Sequence, residues 1–311
     1  RVFDEELHLL RAVAALKPLV GLKTAHGVTT KLVAMDTICN NTNYSAGRDC
    51  AEKMKLFIKD AIEHWGTSYV LLVGGREGGI MKEKWWLPVR YSHLNDGSEG
   101  SYLSDLYFAD IYTANGSFSS WDDNGNGIFG EWAQGQAAAD RPDLIPDVSL
   151  GRLPCLNTRE VRIVVKKIID YESRDVENTS WFKTMVVAAG DTYPGRTPYN
   201  DGEVYTQQGL DNMTGFRPVK LWVSLGTLKN ERSVVRAINR GCGFIWLSGH
   251  GNPKTWATHP TGDNSTWITG LRLRSLLLLH NDRKLPVCIT GSGCFNSMFN
   301  VSMKNTPFVF G

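Results

Sequence analysis

The chain contains the segments GFIWLSGHG at residues 243–251 and LPVCITGSGCFN at residues 285–296, and these two segments decide its fold. Each is a short apolar run that stops at small residues, a pattern typical of a strand buried on both faces of a parallel sheet. The leucine-rich stretch at residues 271–279 predicts a crossover helix between them. Because such a β-α-β unit brings both carboxyl strand ends to one edge of the sheet, we expect His250 and Cys294 to lie side by side there.

His250 and Cys294 carry the chemistry of a nucleophilic enzyme. A thiolate is a nucleophile, and a nearby imidazole can generate it and then protonate a leaving amine. Gly251 and Gly293 flank the pair, so backbone N–H groups can approach a substrate carbonyl and stabilise an oxyanion. Taken singly, a histidine is more often a surface or core residue, and a cysteine is more often an inert apolar one. The prediction therefore rests on the fact that both residues are expected at the ends of neighbouring strands.

The two segments resemble the gingipain-type cysteine peptidases, which are relatives of the caspases, legumain and clostripain. In that group one strand ends in His-Gly and a later strand ends in a small residue followed by the nucleophilic cysteine, as at residues 248–251 and 293–296 here. Residues 68–75 and 146–153 are similar to the family's first subdomain, so the resemblance covers nearly the whole chain. It implies a caspase-like (gingipain-like) α/β fold of mostly parallel sheets flanked by helices. It also implies a cysteine endopeptidase that uses a Cys-His dyad.

The resemblance implies roles for residues around this dyad. The N–H groups of Gly251 and Cys294 would bind the oxyanion. In the family, an acidic residue at the end of a neighbouring strand assists the histidine, and Asp191 takes that position here, where family members often have Glu. Such an acid would orient the imidazole and favour its charged form. The alternative is that Asp191 only forms a turn or precedes a helix.

Substrate recognition carries over less directly. In basic-specific members an aspartate shortly after a Gly-Glu pair contacts the Arg or Lys side chain of the substrate. Tyr205 stands at the corresponding position here, and only Asp201 and Glu203 offer charge nearby, so no preference for a basic residue is predicted. Trp256 could form a wall of the substrate cleft and could equally pack in the core. His259 follows in a loop rather than at a strand end, which makes it the weaker candidate base.

A loop rich in oxygen-bearing side chains lies in the first half of the chain. The segment WDDNGNGIFGE at residues 121–131 places oxygen donors at alternate positions, then a glycine turn, then a carboxylate, as a calcium loop does. It departs from the EF-hand pattern because the glutamate comes two positions early. The alternative is a solvated turn, since Asn-Gly and Asp-Asn pairs favour turns. The pattern predicts a structural Ca²⁺ site with the ligands Asp122, Asn124, Asn126, the Ile128 carbonyl and Glu131.

Apolar periodicity predicts the remaining elements and two subdomains, residues 1–175 with the calcium loop and residues 176–311 with the dyad. Pro18 is expected to interrupt the first helix. The predicted helices cover residues 4–17, 50–65, 158–171, 201–213 and 230–240, and the predicted strands cover residues 30–38, 69–73, 147–152, 182–191 and 219–223.

Composition narrows the classes of function. The chain has 311 residues, with a hydrophobic fraction of 42% and a charged fraction of 21%, which is ordinary for a soluble globular protein. The formal charge of +2 gives no reason to expect nucleic acid or an anionic membrane as partner. No apolar run approaches the roughly 20 residues that span a bilayer. The glycine-rich stretch at residues 74–79 matches neither dinucleotide nor phosphate-loop spacing, so no organic cofactor is predicted, and the expected partners are protein or peptide substrates.

Cysteine usage and glycosylation triplets bear on location. The six cysteines include no Cys-x-x-Cys pair, which argues against a zinc site. Cys39 and Cys50 flank a polar loop and could form a disulfide or remain two reduced thiols. Asn-x-Ser/Thr triplets would suit an exported protein, although they also arise by chance, and we expect an extracellular or cell-surface location. Because the chain starts at Arg1 and stops on the strand-like FVFG, it is expected to be a C-terminally truncated fragment of a longer precursor.

Two rival functions remain open from the sequence. The first is a non-catalytic scaffold that keeps the caspase-like sheet but does not turn over substrate, and the abrupt end of the chain favours it. The second is a calcium-stabilised binding module, which rests on residues 122–131 alone. Selective alkylation of Cys294 and loss of cleavage in Cys294→Ala would distinguish an enzyme from a scaffold.

Overall fold

The chain divides into two compact units, Arg1–Ile168 and Ile169–Gly311, with the boundary near the end of the helix Thr158–Glu172. The computed structural model of the chain describes residues 2–77, 84–95, 100–173, 179–281 and 283–300. The predicted division after residue 175 lies a few residues further along the chain than the boundary between these units. The strand-like ending predicted at residues 308–311 lies outside the described residues.

Five predicted helical segments are helices in the structure, with small shifts at their ends. The described α-helices are α1 (Val2–Ala25), α2 (Met35–Cys39), α3 (Cys50–Trp65), α4 (Thr158–Glu172), α5 (Asp201–Asn212) and α6 (Glu231–Arg240). Helix α3 begins where Asp49 accepts a 2.8 Å hydrogen bond from Glu52 N and ends at Gly66, whose φ of 64° is the left-handed conformation of a helix stop.

Two predictions near the amino terminus are wrong. Helix α1 continues through Pro18 because Leu16 and Leu19, on either side of the proline, are buried, and this packing offsets the loss of one backbone hydrogen bond. Residues 30–34 form no strand, and α2 follows them. Leu32 is exposed and no described strand pairs with this segment, so its β-branched residues lack the ladder on which their strand preference depends.

A disulfide joins Cys39 at the end of α2 to Cys50 at the start of α3, with their Cα atoms 5.2 Å apart. Of the two alternatives that the sequence leaves open, the structure has the bonded one. Since disulfides persist mainly in oxidising compartments, this bond bears on the location of the protein.

Strands of the first unit form short pairs around an aromatic core. Strands β1 (Tyr69–Val73) and β8 (Ser149–Leu153) pair in parallel, with Tyr69 opposite Ser149, and both were predicted as strands. Tyr107 in the 3₁₀ helix Asp105–Phe108 has no exposed surface and packs edge-on against Phe129. The described strands of this unit are β1 (Tyr69–Val73), β2 (Arg76–Glu77), β3 (Lys84–Trp85), β4 (Tyr91–Ser92), β5 (Leu94–Asn95), β6 (Tyr102–Leu103), β7 (Trp132–Ala133) and β8 (Ser149–Leu153).

A four-stranded parallel sheet organises the second unit, in the order β10 (Arg217–Trp222), β9 (Thr184–Ala189), β11 (Phe244–Ser248) and β15 (Val287–Gly291). All six residues of the inner strand β9 are buried, as expected for a strand covered on both faces. The predicted α/β fold of parallel sheets and flanking helices is thereby confirmed. The strands of this unit are β9 (Thr184–Ala189), β10 (Arg217–Trp222), β11 (Phe244–Ser248), β12 (His250–Asn252), β13 (Thr255–Thr258), β14 (Ile268–Arg272) and β15 (Val287–Gly291).

The connection between β11 and β15 is not the predicted crossover helix. It consists of the antiparallel sheet β12-β13-β14 and a 3₁₀ helix, Leu273–Leu278. Leu271 is buried in β14 opposite Trp256, whereas Leu277 is 88% exposed, so the leucines do not form the single buried stripe of an amphipathic helix. Strands β11 and β15 are nevertheless parallel neighbours. Their carboxyl ends therefore lie at the same edge of the sheet, as predicted.

None of the described helices is both long enough and apolar enough to cross a membrane.

Candidate active site

The strands that precede His250 and Cys294 lie side by side. Strands β11 and β15 pair in parallel with Ser248 opposite Gly291, and Gly249 N extends the pairing by donating to the Gly291 carbonyl at 3.2 Å. His250 follows directly, so it leaves the carboxyl edge of the sheet next to the segment that carries Cys294. Ligands of open α/β sheets bind at this edge.

Two glycines let the histidine and cysteine segments touch beyond the strand ends. A Cβ atom at Gly251 would overlap the carbonyl oxygen of Gly293 and the side chain of Asn296. At the same place Phe295 N donates to the Gly251 carbonyl at 3.5 Å. Any side chain at position 251 would therefore push the two segments apart, which is the physical reason for glycine there.

Asn296 fastens the cysteine segment to the hairpin that carries His250. Its side chain is fully buried, and its amide group donates to the carbonyl oxygens of Asn252 and Thr255 at 2.7 and 3.0 Å. Sequence reasoning gave Asn296 no role, because the partners of a buried amide follow from the packing of the hairpin and not from spacing along the chain.

Cys294 follows a tight turn, and its side chain is exposed. Ser292 in this turn has a φ of 60°, a left-handed conformation that non-glycine residues rarely adopt. The Sγ atom of Cys294 lies 3.6 Å from the Ser292 carbonyl oxygen. The turn thus presents the sulfur to solvent at the carboxyl edge of the sheet.

The other cysteines outside the disulfide differ from Cys294 in burial. Burial raises the pKa of Cys155 to about 11 and the pKa values of Cys242 and Cys288 to about 12. Their thiols therefore stay protonated at neutral pH, and a protonated thiol is a poor nucleophile. Among the described residues, Cys294 is the exposed cysteine outside the disulfide.

The imidazole of His250 is held by a backbone carbonyl. Its Nε2 atom lies 2.6 Å from the carbonyl oxygen of Thr192, in the loop after β9. A carbonyl oxygen only accepts hydrogen bonds, so Nε2 carries the hydrogen and donates it. In the neutral ring Nδ1 is then the acceptor, as a general base requires.

Aromatic rings surround His250 on several sides. Tyr193, His259 and Trp267 each approach its ring edge-on, with centroids 5.4, 5.6 and 5.3 Å away. His259 is buried and its Nδ1 atom lies 2.7 Å from the Thr266 carbonyl, while Trp267 and Tyr193 are about half exposed. The structure therefore places His259 beside the candidate base, in a supporting position.

Asp191 does not contact the His250 imidazole through its carboxylate. The side chain is 1% exposed, and its Oδ2 atom accepts a 3.0 Å hydrogen bond from Gly262 N. Its backbone pairs with His259 in an isolated bridge. Asp191 thus anchors the loop after β13, and the contact that the resemblance implied for Asp191 is made by the Thr192 carbonyl instead.

The two acids proposed for the substrate pocket are buried and already bonded. Asp201 Oδ1 accepts from Thr192 N at 2.6 Å. Glu203 accepts from the Asn200 side chain at 2.8 Å and from both the backbone and the hydroxyl of Ser224 at 3.0 and 2.5 Å. Both carboxylates are thus engaged within the protein, and neither contact supports a role for them as partners of a cationic substrate side chain.

Tyr205 and Trp256, the two aromatic candidates for the substrate pocket, differ in their exposure to solvent. Tyr205 is 54% exposed on α5, whereas Trp256 is fully buried in the core of the second unit. A Cβ atom at Gly270 would overlap the Trp256 indole, which shows how tightly that ring is packed. Of the two alternatives for Trp256, the structure therefore has packing in the core and not a wall of the cleft.

Thr192, Tyr193 and Trp267 were missed by sequence reasoning. Thr192 and Tyr193 directly follow Asp191 at the end of β9, so their position in the chain was a usable signal. Their closeness to His250 depends on β9 lying next to β11 in the sheet, and strand order is not visible in one sequence. Trp267 lies in the loop before β14 and carries no pattern of its own.

The acidic loop of the first unit folds around its own side chains. Asp122 accepts hydrogen bonds from Asn126 N and Gly127 N, both at 3.0 Å, and it also pairs with the guanidinium of Arg48. Gly125 and Gly127 adopt φ values of 73° and 82°, so the turn needs glycine at both positions.

The remaining predicted calcium ligands converge on the same loop. Glu131 Oε2 lies 3.4 Å from Asn124 Nδ2 and 2.9 Å from Asn126 Nδ2, and Ile128 N donates to Asn126 Oδ1 at 2.7 Å. The part of the chain that the structure describes holds no cluster of three or more His, Cys, Asp or Glu side chains suited to a metal. A cation here would therefore depend on amide and carbonyl oxygens together with two carboxylates, a donor set that suits Ca²⁺.

Comparison with known proteins gives a family and a fold. The family model described as Peptidase family C25 matches residues 4–308. The crystal structure of the Arg-specific cysteine proteinase gingipain R is similar, with 17% sequence identity, a TM-score of 0.60, and coverage of 93% of this chain and 53% of that one. A complex of the pro- and mature domains of RgpB from Porphyromonas gingivalis has 16% identity, a TM-score of 0.57, and coverage of 99% and 56%.

A third solved structure, described as a protease, has 16% identity and a TM-score of 0.57 and covers 93% of this chain and 51% of its own. The chain thus spans about half the length of the solved structures it resembles. No match was found among curated protein sequences. The structural likeness confirms the predicted gingipain-like fold.

Proposed function

Because this chain belongs to peptidase family C25, we propose that it is a cysteine endopeptidase in which Cys294 is the nucleophile and His250 is the general acid and base. The observation that supports this most is the contact between their backbones. The segments meet at Gly251 and Gly293, beyond the ends of two neighbouring parallel strands. The substrates are proteins or peptides.

The first step is the formation of the thiolate. Since the Thr192 carbonyl keeps the hydrogen on Nε2 of His250, the Nδ1 lone pair accepts the proton of the Cys294 thiol. The resulting imidazolium is stabilised by the same carbonyl, which accepts more strongly from a charged donor. Orientation of the base therefore falls to Thr192 and not to the Asp191 carboxylate.

The thiolate then attacks the carbonyl carbon of the scissile peptide, and a carbon–sulfur bond forms as the carbonyl oxygen becomes an oxyanion. The N–H groups of Gly251 and Cys294 donate to this oxyanion. Gly251 lies in β12, where the N–H and C=O of one residue face the same side, and its C=O faces Phe295. This contact brings the Gly251 backbone next to the cysteine turn, which supports the proposed role.

Collapse of the tetrahedral intermediate breaks the carbon–nitrogen bond. His250 gives its Nδ1 proton to the leaving amine, and an acyl-thioester on Cys294 remains. A water molecule then gives a proton to Nδ1 and attacks the thioester, which releases the acid product and restores the thiol. The proposal includes no preference for Arg or Lys, since Asp201 and Glu203 are bonded within the protein.

A fluorogenic peptide library tests the proposal. We expect cleavage by the wild-type chain and loss of cleavage in Cys294→Ser and in His250→Ala, with little effect of His280→Ala, an exposed histidine in the same unit. Iodoacetamide should label Cys294 much faster than Cys155, Cys242 and Cys288. Cleavage that survives Cys294→Ser would refute the proposal, and equally slow labelling of every thiol would favour the non-catalytic scaffold.

We propose in addition that Asp122, Asn124, Asn126, the Ile128 carbonyl and Glu131 bind a structural Ca²⁺ ion. The hydrogen bonds that fold this loop bring the side chains of Asp122, Asn126 and Glu131 toward one turn. The ion would neutralise the two carboxylates and stiffen the loop, and it takes no part in the hydrolysis. Arg48 pairs with Asp122 and would compete with the ion for this carboxylate.

Thermal unfolding with and without calcium tests this site. At about a hundredfold excess of Ca²⁺ over Kd we expect a stabilisation of about 2.7 kcal/mol, which chelation removes. The variant Glu131→Gln should lose most of this stabilisation, whereas Glu63→Gln, an exposed glutamate in the same unit, should keep it. An unchanged unfolding temperature at high Ca²⁺ would leave the solvated turn as the explanation of the loop.

We infer an extracellular or cell-surface location from the Cys39–Cys50 disulfide, since such bonds persist in oxidising compartments. Mass spectrometry of the protein from its native source, alkylated before reduction, should find these two cysteines protected. Alkylated Cys39 and Cys50 would point to a reducing compartment.

A further inference from the structure

Asp201 lies behind the carbonyl that holds the candidate base. It is the first residue of α5 and is 8% exposed. A single oxygen, Oδ1, accepts two backbone hydrogen bonds, from Thr192 N at 2.6 Å and from Gly202 N at 2.8 Å. The carbonyl of the same Thr192 lies 2.6 Å from Nε2 of His250. The Asp201 carboxylate therefore bonds the N–H of Thr192, and the His250 imidazole bonds the C=O of the same residue.

Clamping both groups of Thr192 restrains its conformation. The bond to Asp201 holds the peptide plane before Thr192 in place, so the carbonyl can leave His250 only by rotation about the two backbone torsions of Thr192 itself. Thr192 is itself buried, and its neighbour Asp191 is held through the antiparallel bridge to His259. A buried donor that lost Asp201 would be left unsatisfied, which is unfavourable, and the local backbone would rearrange to avoid it.

Gly202 brings α5 close enough for this contact. A Cβ atom at Gly202 would lie 2.9 Å from the Gly190 carbonyl oxygen, 3.1 Å from Thr192 Oγ1 and 3.4 Å from the Ser248 carbonyl oxygen. The start of α5 thus packs against the carboxyl ends of both β9 and β11. A larger residue at position 202 would move the helix start, and Asp201 with it, away from the loop.

The neighbouring acids have other partners. Asp191 accepts from Gly262 N, and Glu203 accepts from Ser224 at the end of β10. Asp201 is thus the carboxylate that bonds the Thr192 N–H, and it does so without touching the imidazole.

We propose that Asp201 is a positioning residue for His250, which acts through the backbone of Thr192 to keep the imidazole oriented toward Cys294. This inference rests on the proposed peptidase function. It replaces the substrate-binding role suggested for Asp201 by the sequence. It predicts that Asp201 affects turnover more than substrate binding.

Kinetics of paired variants test the inference. Asp201→Ala removes the acceptor, and a misplaced base should lower kcat by about 100-fold with a smaller change in KM. Asp201→Asn keeps an oxygen that can accept both N–H groups and should retain most of the activity. Asp211→Ala removes an exposed acid from the far end of the same helix and should have no effect.

The pH profile separates positioning from a general loss of stability. An imidazolium without its carbonyl acceptor loses its proton more readily, so the alkaline limb of kcat/KM in Asp201→Ala should move to lower pH. Besides Cys294, toward which the imidazole is proposed to point, the titratable side chains of the described residues in ring contact with His250 are Tyr193 and His259, with Arg196 over the Tyr193 ring, and the substitution leaves all of them in place. A variant that was only less stable would keep the wild-type profile.

Gly202→Ala displaces the helix start without changing any charge, and it supplies the test if Asp201→Ala does not fold. It should lower kcat and shift the alkaline limb in the same direction. Folded variants with wild-type kcat and pH profile would overturn the inference.

An inactive wild type, or activity that survives Cys294→Ser, would instead refute the proposed function. In that case the exchange protection of the His250 Nε2–H, followed by NMR in wild type and Asp201→Ala, tests the positioning separately. The inference requires the protection to fall in the variant, and unchanged protection would overturn it.

Discussion

The side-chain amide of Asn296 donates a 2.7 Å hydrogen bond to the backbone carbonyl of Asn252. This bond joins the segment after Cys294, the proposed nucleophile, to the hairpin that begins at His250, the proposed base, and the Asn296 side chain has no access to solvent. This buried hydrogen bond therefore holds the two segments of the candidate site together.

Asn296→Asp is expected to separate these segments. A carboxylate cannot donate to the carbonyls of Asn252 and Thr255, so both hydrogen bonds are lost and the buried side chain at position 296 is left without these partners, at roughly 1–3 kcal/mol. Urea unfolding should show this loss of stability, and peptide cleavage should fall by about 100-fold because the two segments shift. Asn212→Asp, an exposed change on α5, is the matched control. Equal stability and equal cleavage rates of the two variants would contradict the proposed role of Asn296 in holding the segments together.

Ser292 is expected to tolerate glycine better than a branched residue. Its φ of 60° costs a non-glycine residue roughly 1–2 kcal/mol, so Ser292→Gly should keep or raise the free energy of unfolding. Ser292→Val should lower both stability and activity, because a β-branched side chain fits this conformation poorly. Chemical denaturation of the three proteins measures the difference. A valine variant as stable as the glycine variant would show that the turn is not strained.

Burial of the thiols of Cys242 and Cys288 predicts that the free energy of unfolding falls at alkaline pH. The pKa values of Cys242 and Cys288 are raised by burial to about 12 from 9.0. Between these values the unfolded chain loses thiol protons that the folded chain keeps, so this contribution is present below pH 9 and is lost as pH rises toward 12. Cys242→Ala should therefore show a smaller decline in unfolding free energy above pH 9 than the wild type. Parallel declines would contradict the raised pKa.

Lys55 predicts the opposite trend in the first unit. Its ammonium donates to the Ser119 carbonyl and lies 4.3 Å from the Tyr107 ring centre, and burial lowers its pKa from 10.5 to about 7. Between pH 7 and 10.5 the unfolded chain binds the proton more strongly, so the contribution of Lys55 to unfolding free energy rises with pH, by on the order of 1 kcal/mol per unit. Burial also raises the pKa of the neighbouring Asp110, so the comparison must be made between variants.

Lys55→Met should remove this rise, and pH-dependent unfolding between pH 7 and 10.5 measures it. Lys59→Met, one turn along α3 in a pair with Glu63 at the surface, is the control and should follow the wild type. A Lys55→Met curve parallel to the wild-type curve would show that the lysine does not change its protonation on unfolding in this range.

Several features were readable from the sequence because their causes are local. The apolar runs before His250 and Cys294 end in small residues, and this pattern alone placed both residues at strand ends on one edge of a parallel sheet. The helix over residues 50–65 and the strand over residues 69–73 have the predicted bounds. Where local preference needed a partner that is missing, as at residues 30–38, the prediction failed.

What the sequence by itself determined is the type of fold and the placement of the two candidate residues, His250 and Cys294, at neighbouring strand ends, because side-chain periodicity and glycine positions act within a few residues of the chain. Only the tertiary structure decided that the Thr192 carbonyl holds His250, that Asp201 holds Thr192, and that Trp256 belongs to the core. Each of these contacts depends on β9 lying beside β11 and on the way the connecting hairpin packs. The order of strands in a sheet follows from the burial of whole elements, a non-local quantity that spacing along the chain does not encode.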